Sequence, residues 1–323
     1  MATSFDGNDG NDGNNANAGG AGNATSVSKG WFFADRVNLP LVTEFDTGPN
    51  APAVPTPIGQ LPIINRPRFP ALNWSADWYS WLALNDFAGS PWQTIIDPIN
   101  PLNPTSPPPG FVGQWPWPTW VPFPPPADWA GLNTGANVPG EISGLVTAAS
   151  NERADALAEI LSQSNEFISY FLNMMTARPT AYPATTRVLS IASLVGTLVA
   201  MYFKNQYSRP RPSQLSPALL PPIEIPGHAS FPSGHSTQAH LMALCMKDVF
   251  NQLPQPNTMN TMVDDLWTLA DCIARNREIA GLHYPSDSAA GEAFAYWIHS
   301  LLNGAGQTHY QQAVKDAAVE WQP

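Results

Sequence analysis

Three short clusters in this chain hold the residue types whose spacing suits chemistry. The first is Lys204, Arg209, Arg211 and Pro212, in KNQYSRPRP. Three of the chain's fourteen Lys and Arg residues fall there within eight positions. The second is Phe231-Pro232-Ser233-Gly234-His235-Ser236, and the third is Arg275-Asn276-Arg277 followed by His283 and Asp287. Arginine donates in a planar fork and lysine brings a point charge, a combination that suits a tetrahedral oxyanion. Ser233 and the Gly234 N–H add neutral donors at a helix start, where free amides favour anions, and Gly234 has no Cβ to hold a ligand off. Two histidines then offer two roles, one attacking phosphorus and the other protonating the leaving oxygen. Taken singly, each cluster also has a plain reading: a solvated helix end, a serine-capped helix start, and a structural His–Asp pair.

Helices must position these clusters. Leu157, Ile160, Leu161, Phe167, Ile168, Phe171, Leu172 and Met175 recur at helical spacing, and Arg178-Pro179 ends that helix. Val188 to about Tyr207 predicts a second helix, apolar nearly all round and therefore central. Ser236–Phe250, Val263–Ile279, Asp287–Leu302 and Thr308–Val319 predict four more. Every cluster then lies at a helix end, and residues 141–323 read as an all-α bundle. Residues 29–140 are rich in proline and hold eight of the twelve tryptophans, between Trp74 and Trp129. Proline disfavours long helices there, so this region is expected to be an irregular coat packed on the core, with some rings able to wall a pocket. Residues 1–28, rich in Asn, Gly and Asp, have little to bury and are expected to be disordered.

Composition narrows the function. A net charge of −11 argues against nucleic acid and against anionic membranes as partners. Cys245 and Cys272 make neither a disulfide framework nor a zinc motif and are expected to be buried thiols. The N-terminus lacks a basic, then apolar, export signal. The apolar stretch Val188–Phe203 has sixteen residues, short of the 20 or so needed to span a bilayer. The expectation is a soluble, cytoplasmic protein without a transmembrane segment. The sequence carries no signal for an oligomeric state.

The order and spacing of the clusters resemble the tripartite signature of the type 2 phosphatidic acid phosphatase and vanadium haloperoxidase superfamily. Six residues separate Lys204 from Arg211-Pro212; Pro232-Ser233-Gly234-His235 follows; five residues separate Arg277 from His283, and three separate His283 from Asp287. The third motif departs from the pattern in having Asn276 where the family has serine. The resemblance implies a helical-bundle fold and a phosphomonoester hydrolase of the acid-phosphatase kind. It implies that His283 is the nucleophile forming a phosphohistidine, that Asp287 orients it, and that His235 is the general acid and then the base. Lys204, Arg211, Ser233, Gly234 and Arg277 would hold the phosphate oxygens, with a small phosphoester as substrate and no cofactor. The runner-up is a haloperoxidase that oxidises halide with peroxide; the same pocket then holds vanadate, with His283 as its metal ligand. His228 is an extra histidine in favour of that alternative or a turn cap. Arg209 and Arg275 lie outside the signature and are expected to pair with acidic neighbours.

Overall fold

In the computed structural model, which describes residues 74–93, 137–164, 166–255 and 259–322, the chain is helical and, among these residues, contains no strand. Nine helices of seven residues or more occur among them. They are α1 (Ala76–Ala88), α2 (Asn137–Asn151), α3 (Arg153–Gln163), α4 (Ile168–Met174), α5 (Pro183–Tyr207), α6 (Gly234–Asn251), α7 (Asn260–Ile279), α8 (Pro285–Leu302) and α9 (Thr308–Glu320). The expected disorder of residues 1–28 and most of the expected 29–140 coat lie outside the described residues.

Helix α5 is central because its sequence leaves it no polar face. Seventeen of its 25 residues are buried, and α1, α6 and α9 pack around it. Pro183 sits in its first turn, where no N–H partner is needed. Tyr182 offers no side-chain cap. Instead Glu320, at the far end of α9, accepts from the Ala184 and Thr185 amides at 2.7 and 2.8 Å. Helix α6 is more deeply enclosed still, between α5, α7 and α8. Gly196 lets α5 and α6 approach: a Cβ there would lie 3.1 Å from Gln238 Cγ. Gln238 Nε2 closes the same contact by donating to the Ser193 carbonyl at 3.1 Å and Thr197 Oγ1 at 2.8 Å. Each fully buried Leu or Phe in this core contributes about 1.5–3 kcal/mol.

Several expectations need correction. The region 29–140 is not wholly irregular, since α1 lies within it. The stretch between Pro70 and Pro91 is free of proline, Ser75 Oγ accepts from the Trp78 amide at 3.4 Å as an N-cap, and Ala83 and Phe87 are fully buried. The boundary at 141 falls inside α2, whose Pro139 is tolerated because it lies in the first turn. The single helix expected from Leu157 to Met175 is two, α3 and α4. Ser162 and Ser164 turn their hydroxyls onto the Ala158 and Leu161 carbonyls at 3.0 and 2.6 Å, competing with the helix ladder at that point. Helices α6 to α9 match expectation to within a turn, and α5 begins at Pro183, ahead of the expected Val188. Cys245 is buried, but Cys272 is exposed.

The apolar stretch is also longer than expected. Pro183–Leu215 is long and apolar enough to cross a membrane, and 78% of its most apolar window is buried inside the protein. A core helix and a membrane span both pass that test, so neither a soluble character nor a cytoplasmic location finds support in helix length.

Candidate active site

The three clusters reach one region because four helix termini are shaped to stop there. Helix α5 ends at Ser208, which takes a left-handed φ of 46° and donates its amide to the Lys204 carbonyl at 2.9 Å. Pro210 and Pro212 then keep the chain from continuing as helix. Helix α7 ends in a Schellman turn: the Leu282 amide bonds the Arg277 carbonyl at 3.0 Å, and the Gly281 amide bonds Glu278 at 2.7 Å. Gly281 has φ 79°, a conformation glycine adopts at little cost. That turn leads directly from Arg277 into His283. Helix α8 opens with Pro285 and accepts the Tyr284 amide on Asp287 Oδ2 at 3.1 Å. Helix α6 opens at Ser233, whose Oγ accepts from the Ser236 amide at 3.4 Å.

Lys204 and Arg211 clasp the segment 228–230. Lys204 Nζ donates to the carbonyls of Ala229 and Ser230 at 2.9 and 3.1 Å. Arg211 Nε donates to the His228 carbonyl at 3.1 Å, and its Nη1 donates to the Leu282 carbonyl at 3.1 Å. The same Nη1 lies 3.3 Å from His283 Nε2, and Arg211 Nη2 lies 3.1 Å from His228 Nδ1. His228 therefore flanks the arginine, and it also contacts the adjacent Ala229 carbonyl at 3.1 Å.

Asp287 is the hub behind His283. It is fully buried and lies 3.3 Å from His283 Nδ1. Ser230 Oγ donates to it at 2.5 Å and Arg209 Nη1 at 2.6 Å. Burial alone would raise its pKa. The Arg209 charge, His283 and the Ser230 bond outweigh burial and hold the carboxyl well below the usual carboxylate range. Arg209 also donates to Glu141 at 3.1 Å and to Ser286 Oγ at 2.8 Å, and lies 3.7 Å from the Tyr284 ring centroid. Arg275 pairs with Glu152 and Glu278 at 2.7 and 2.9 Å. Both arginines outside the signature thus have acidic partners, as their positions led one to expect.

The remaining residues surround this group. The Ser233 amide donates to the Asp287 carbonyl at 3.0 Å, joining the starts of α6 and α8. Gly234 is the first residue of α6. His235 stacks on Phe167 at 5.2 Å, and its Nε2 lies 3.1 Å from the Gln163 carbonyl. A carbonyl can only accept, so that nitrogen carries the proton. Arg277 Nη2 donates to the Ile160 carbonyl at 2.8 Å. Asn276 does donate, but to Glu159 and Gln163, each at 2.9 Å. Lys204, Arg211, Ser233, His283 and Asp287 are therefore linked through 228–230 and the start of α8. His235 and Arg277 share the C-terminal end of α3. All seven are at most 2% exposed. Sequence reasoning missed Ser230, Glu141 and Gln163, which lie outside the motif spacings and meet the site only through tertiary contacts.

Part of the chain is similar to known proteins. Residues 184–308, which include all three clusters, match the model of the PAP2 superfamily. The decaprenylphosphoryl-5-phosphoribose phosphatases of two Mycobacterium tuberculosis strains are each 29% identical over 154 residues, covering 47% of this chain and 80% of theirs. A transmembrane PAP2-type phosphatidylglycerolphosphate phosphatase from Bacillus subtilis aligns over 71% of this chain and 94% of its own, at 15% identity and a TM-score of 0.30.

Proposed function

Because residues 184–308 match the PAP2 superfamily, we propose that this chain is a phosphomonoester hydrolase working through a phosphohistidine on His283. One observation carries the reading. His283 is held between two groups of opposite sign, with Nδ1 against the buried Asp287 carboxylate and Nε2 against the Arg211 guanidinium. With Nδ1–H donated to Asp287, Nε2 keeps its lone pair, and it faces the cation that would hold a phosphate oxygen.

The steps follow from the residues. Lys204, Arg211 and Arg277 would neutralise the phosphate oxygens, with Ser233 and the Gly234 amide as neutral donors at the α6 start. His283 Nε2 attacks phosphorus, and the bond from phosphorus to the ester oxygen breaks. The departing oxygen takes a proton from His235. His235 then removes a proton from water, which attacks the phosphohistidine and releases phosphate and the free imidazole. Asp287 stays ionised and stabilises the imidazolium. Since His235 Nε2–H is donated to Gln163, the leaving oxygen takes its proton from Nδ1–H of the doubly protonated ring, which is left neutral and able to accept a proton from water. The charge comes from side chains, so the reading needs no cofactor. The name of the mycobacterial relatives supports a phosphoester substrate.

A peroxidase reading uses the same pocket. The cationic donor set fits vanadate as well as phosphate, and His283, Lys204, Arg211 and Arg277 would hold it. His228 beside Arg211 is the observation in its favour. Bound vanadate would supply peroxide activation there.

Rapid-quench trapping with p-nitrophenyl phosphate tests the proposal. Acid-labile phosphate is expected on His283 and on no other histidine. Label on His235 instead, or turnover without any phosphoenzyme, would overturn it. Bromide oxidation on adding vanadate and peroxide, with no ester hydrolysis, would establish the alternative.

A further inference from the structure

We propose that His240, Asp271 and Glu292 form a divalent metal site, separate from the oxyanion pocket, that clamps α6, α7 and α8 together. Each residue comes from a different helix, and their ligand atoms all lie within 4.8 Å of one another. Among the described residues it is the one group of three or more His, Cys, Asp and Glu side chains so gathered. Donors on one zinc ion, at about 2.1 Å each, lie no more than about 4.2 Å apart, so movements below about 1 Å bring the set onto one ion.

The state of each ligand points to a cation. Glu292 is only 7% exposed. Among the described residues, its carboxylate has no hydrogen-bond donor, and His240 is the neighbour whose positive charge would favour it. A carboxylate taken out of water without a donor is costly, and a coordinated cation removes that cost. His240 is 2% exposed and has the form of a metal ligand. Its Nδ1 lies 2.8 Å from the Ser236 carbonyl and so carries the proton. That leaves Nε2 directed at Asp271 Oδ1, 3.1 Å away. Anchoring the far nitrogen on a carbonyl is how proteins fix a ligating imidazole. Asp271, 60% exposed on its side chain, supplies an opening to solvent through which an ion enters. Trp267 packs edge-on against His240 with ring centroids 4.8 Å apart, walling one side.

The donor set selects the ion class. One imidazole with two carboxylates suits zinc and its first-row neighbours better than calcium or magnesium, which take oxygen ligands. The occupant would act on the neighbouring pocket through position alone. The Ser236 hydroxyl contacts His240 Nδ1 at 3.2 Å and donates to the Ser288 carbonyl at 2.6 Å, next to Asp287.

Calorimetric titration of Zn²⁺ into the chelator-treated full chain tests the site. The wild type is expected to bind one Zn²⁺ saturably and to gain thermal stability with added Zn²⁺, since an ion that binds only the folded state raises Tm. Mg²⁺ at equal concentration should give no comparable shift. Asp271→Asn, Glu292→Gln and His240→Gln should each weaken Zn²⁺ binding by at least about tenfold, the least that loss of a supporting group costs. Asp271→Asn lies at the surface and keeps the test decisive if the buried variants do not fold. Absence of saturable uptake, or equal affinity in Asp271→Asn and wild type, would overturn the proposal. The three side chains would then be a His240–Asp271 ion pair beside a buried Glu292.

Discussion

Arg209 is the residue on which the site depends most outside the signature. It forms a buried ion pair with Asp287 at 2.6 Å, with neither side chain more than 1% exposed. Removing one member of such a pair leaves the other buried and uncompensated, which costs about 3–5 kcal/mol. Arg209→Ala should therefore lower the urea unfolding free energy by about that much and also cut turnover, because Asp287 loses its anchor. The pair has a pH signature as well. The folded-state pKa of Asp287 is depressed, so its contribution to stability is fully present above the unfolded value of about 3.9 and is lost as pH falls toward the folded value. The stability difference between wild type and Asp287→Asn should be constant above about pH 5 and shrink below about pH 4; unfolding midpoints measured across that range check it. On the proposed mechanism, Arg211→Ala and Arg277→Ala remove donors to developing charge. Each should reduce kcat/KM by about 10²- to 10³-fold with little change in circular dichroism. His235→Ala should lose more activity on alkyl phosphates, whose leaving oxygen needs a proton, than on p-nitrophenyl phosphate.

At the scale of elements, the site depends on how closely α8 approaches the start of α6. A Cβ on Gly291 would lie 2.7 Å from the Ser233 carbonyl oxygen and 2.9 Å from the Thr237 amide nitrogen. Both neighbours are backbone, so a side chain could be accommodated only by shifting a helix. Gly291→Ala should destabilise by about 1–3 kcal/mol, the usual cost of overpacking. It should also reduce kcat, because the shift separates the His283–Asp287 pair from Ser233 and His235. Denaturant unfolding and steady-state kinetics on the same sample test both effects. A variant with full activity and unchanged stability would mean that the two helices are not rigidly registered.

Across the whole molecule, the last helix closes on the central one. Glu320 gives the start of α5 the cap that Tyr182 cannot give, bonding two amides and the Thr185 hydroxyl at 2.7–2.8 Å. Trp321 adds a bond from its indole to Thr185 Oγ1 at 2.9 Å. Glu320→Ala should lower stability by about 0.5–2 kcal/mol, as loss of a helix cap does. It should leave kcat/KM unchanged, because the active-site cluster lies at the opposite end of α5, around Lys204. Thermal melts beside p-nitrophenyl phosphate kinetics separate the two outcomes.

Local signals in the sequence determined the later helices and named the candidate site residues. Apolar spacing and the Ser233 cap are short-range features, so α6 to α9 could be read within about a turn, while α5 begins at Pro183, ahead of the expected Val188. The motif spacing marked Lys204, Arg211, Ser233, Gly234, His235, Arg277, His283 and Asp287 for the same reason, each spacing lying within a dozen residues. Tertiary structure alone decided how they are held. The partners of Asp287 include Ser230, 57 positions away, and Arg209, 78 positions away. Arg277 and His235 rest on the end of α3, more than seventy positions upstream of His235. Local propensity also misjudged α1, where proline abundance in the surroundings hid a proline-free, capped segment, and α3–α4, where serine hydroxyls compete with the helix ladder. Coupling across such separations depends on which helix faces meet, and that is fixed by packing α6 between α5, α7 and α8, not by any local run of residues.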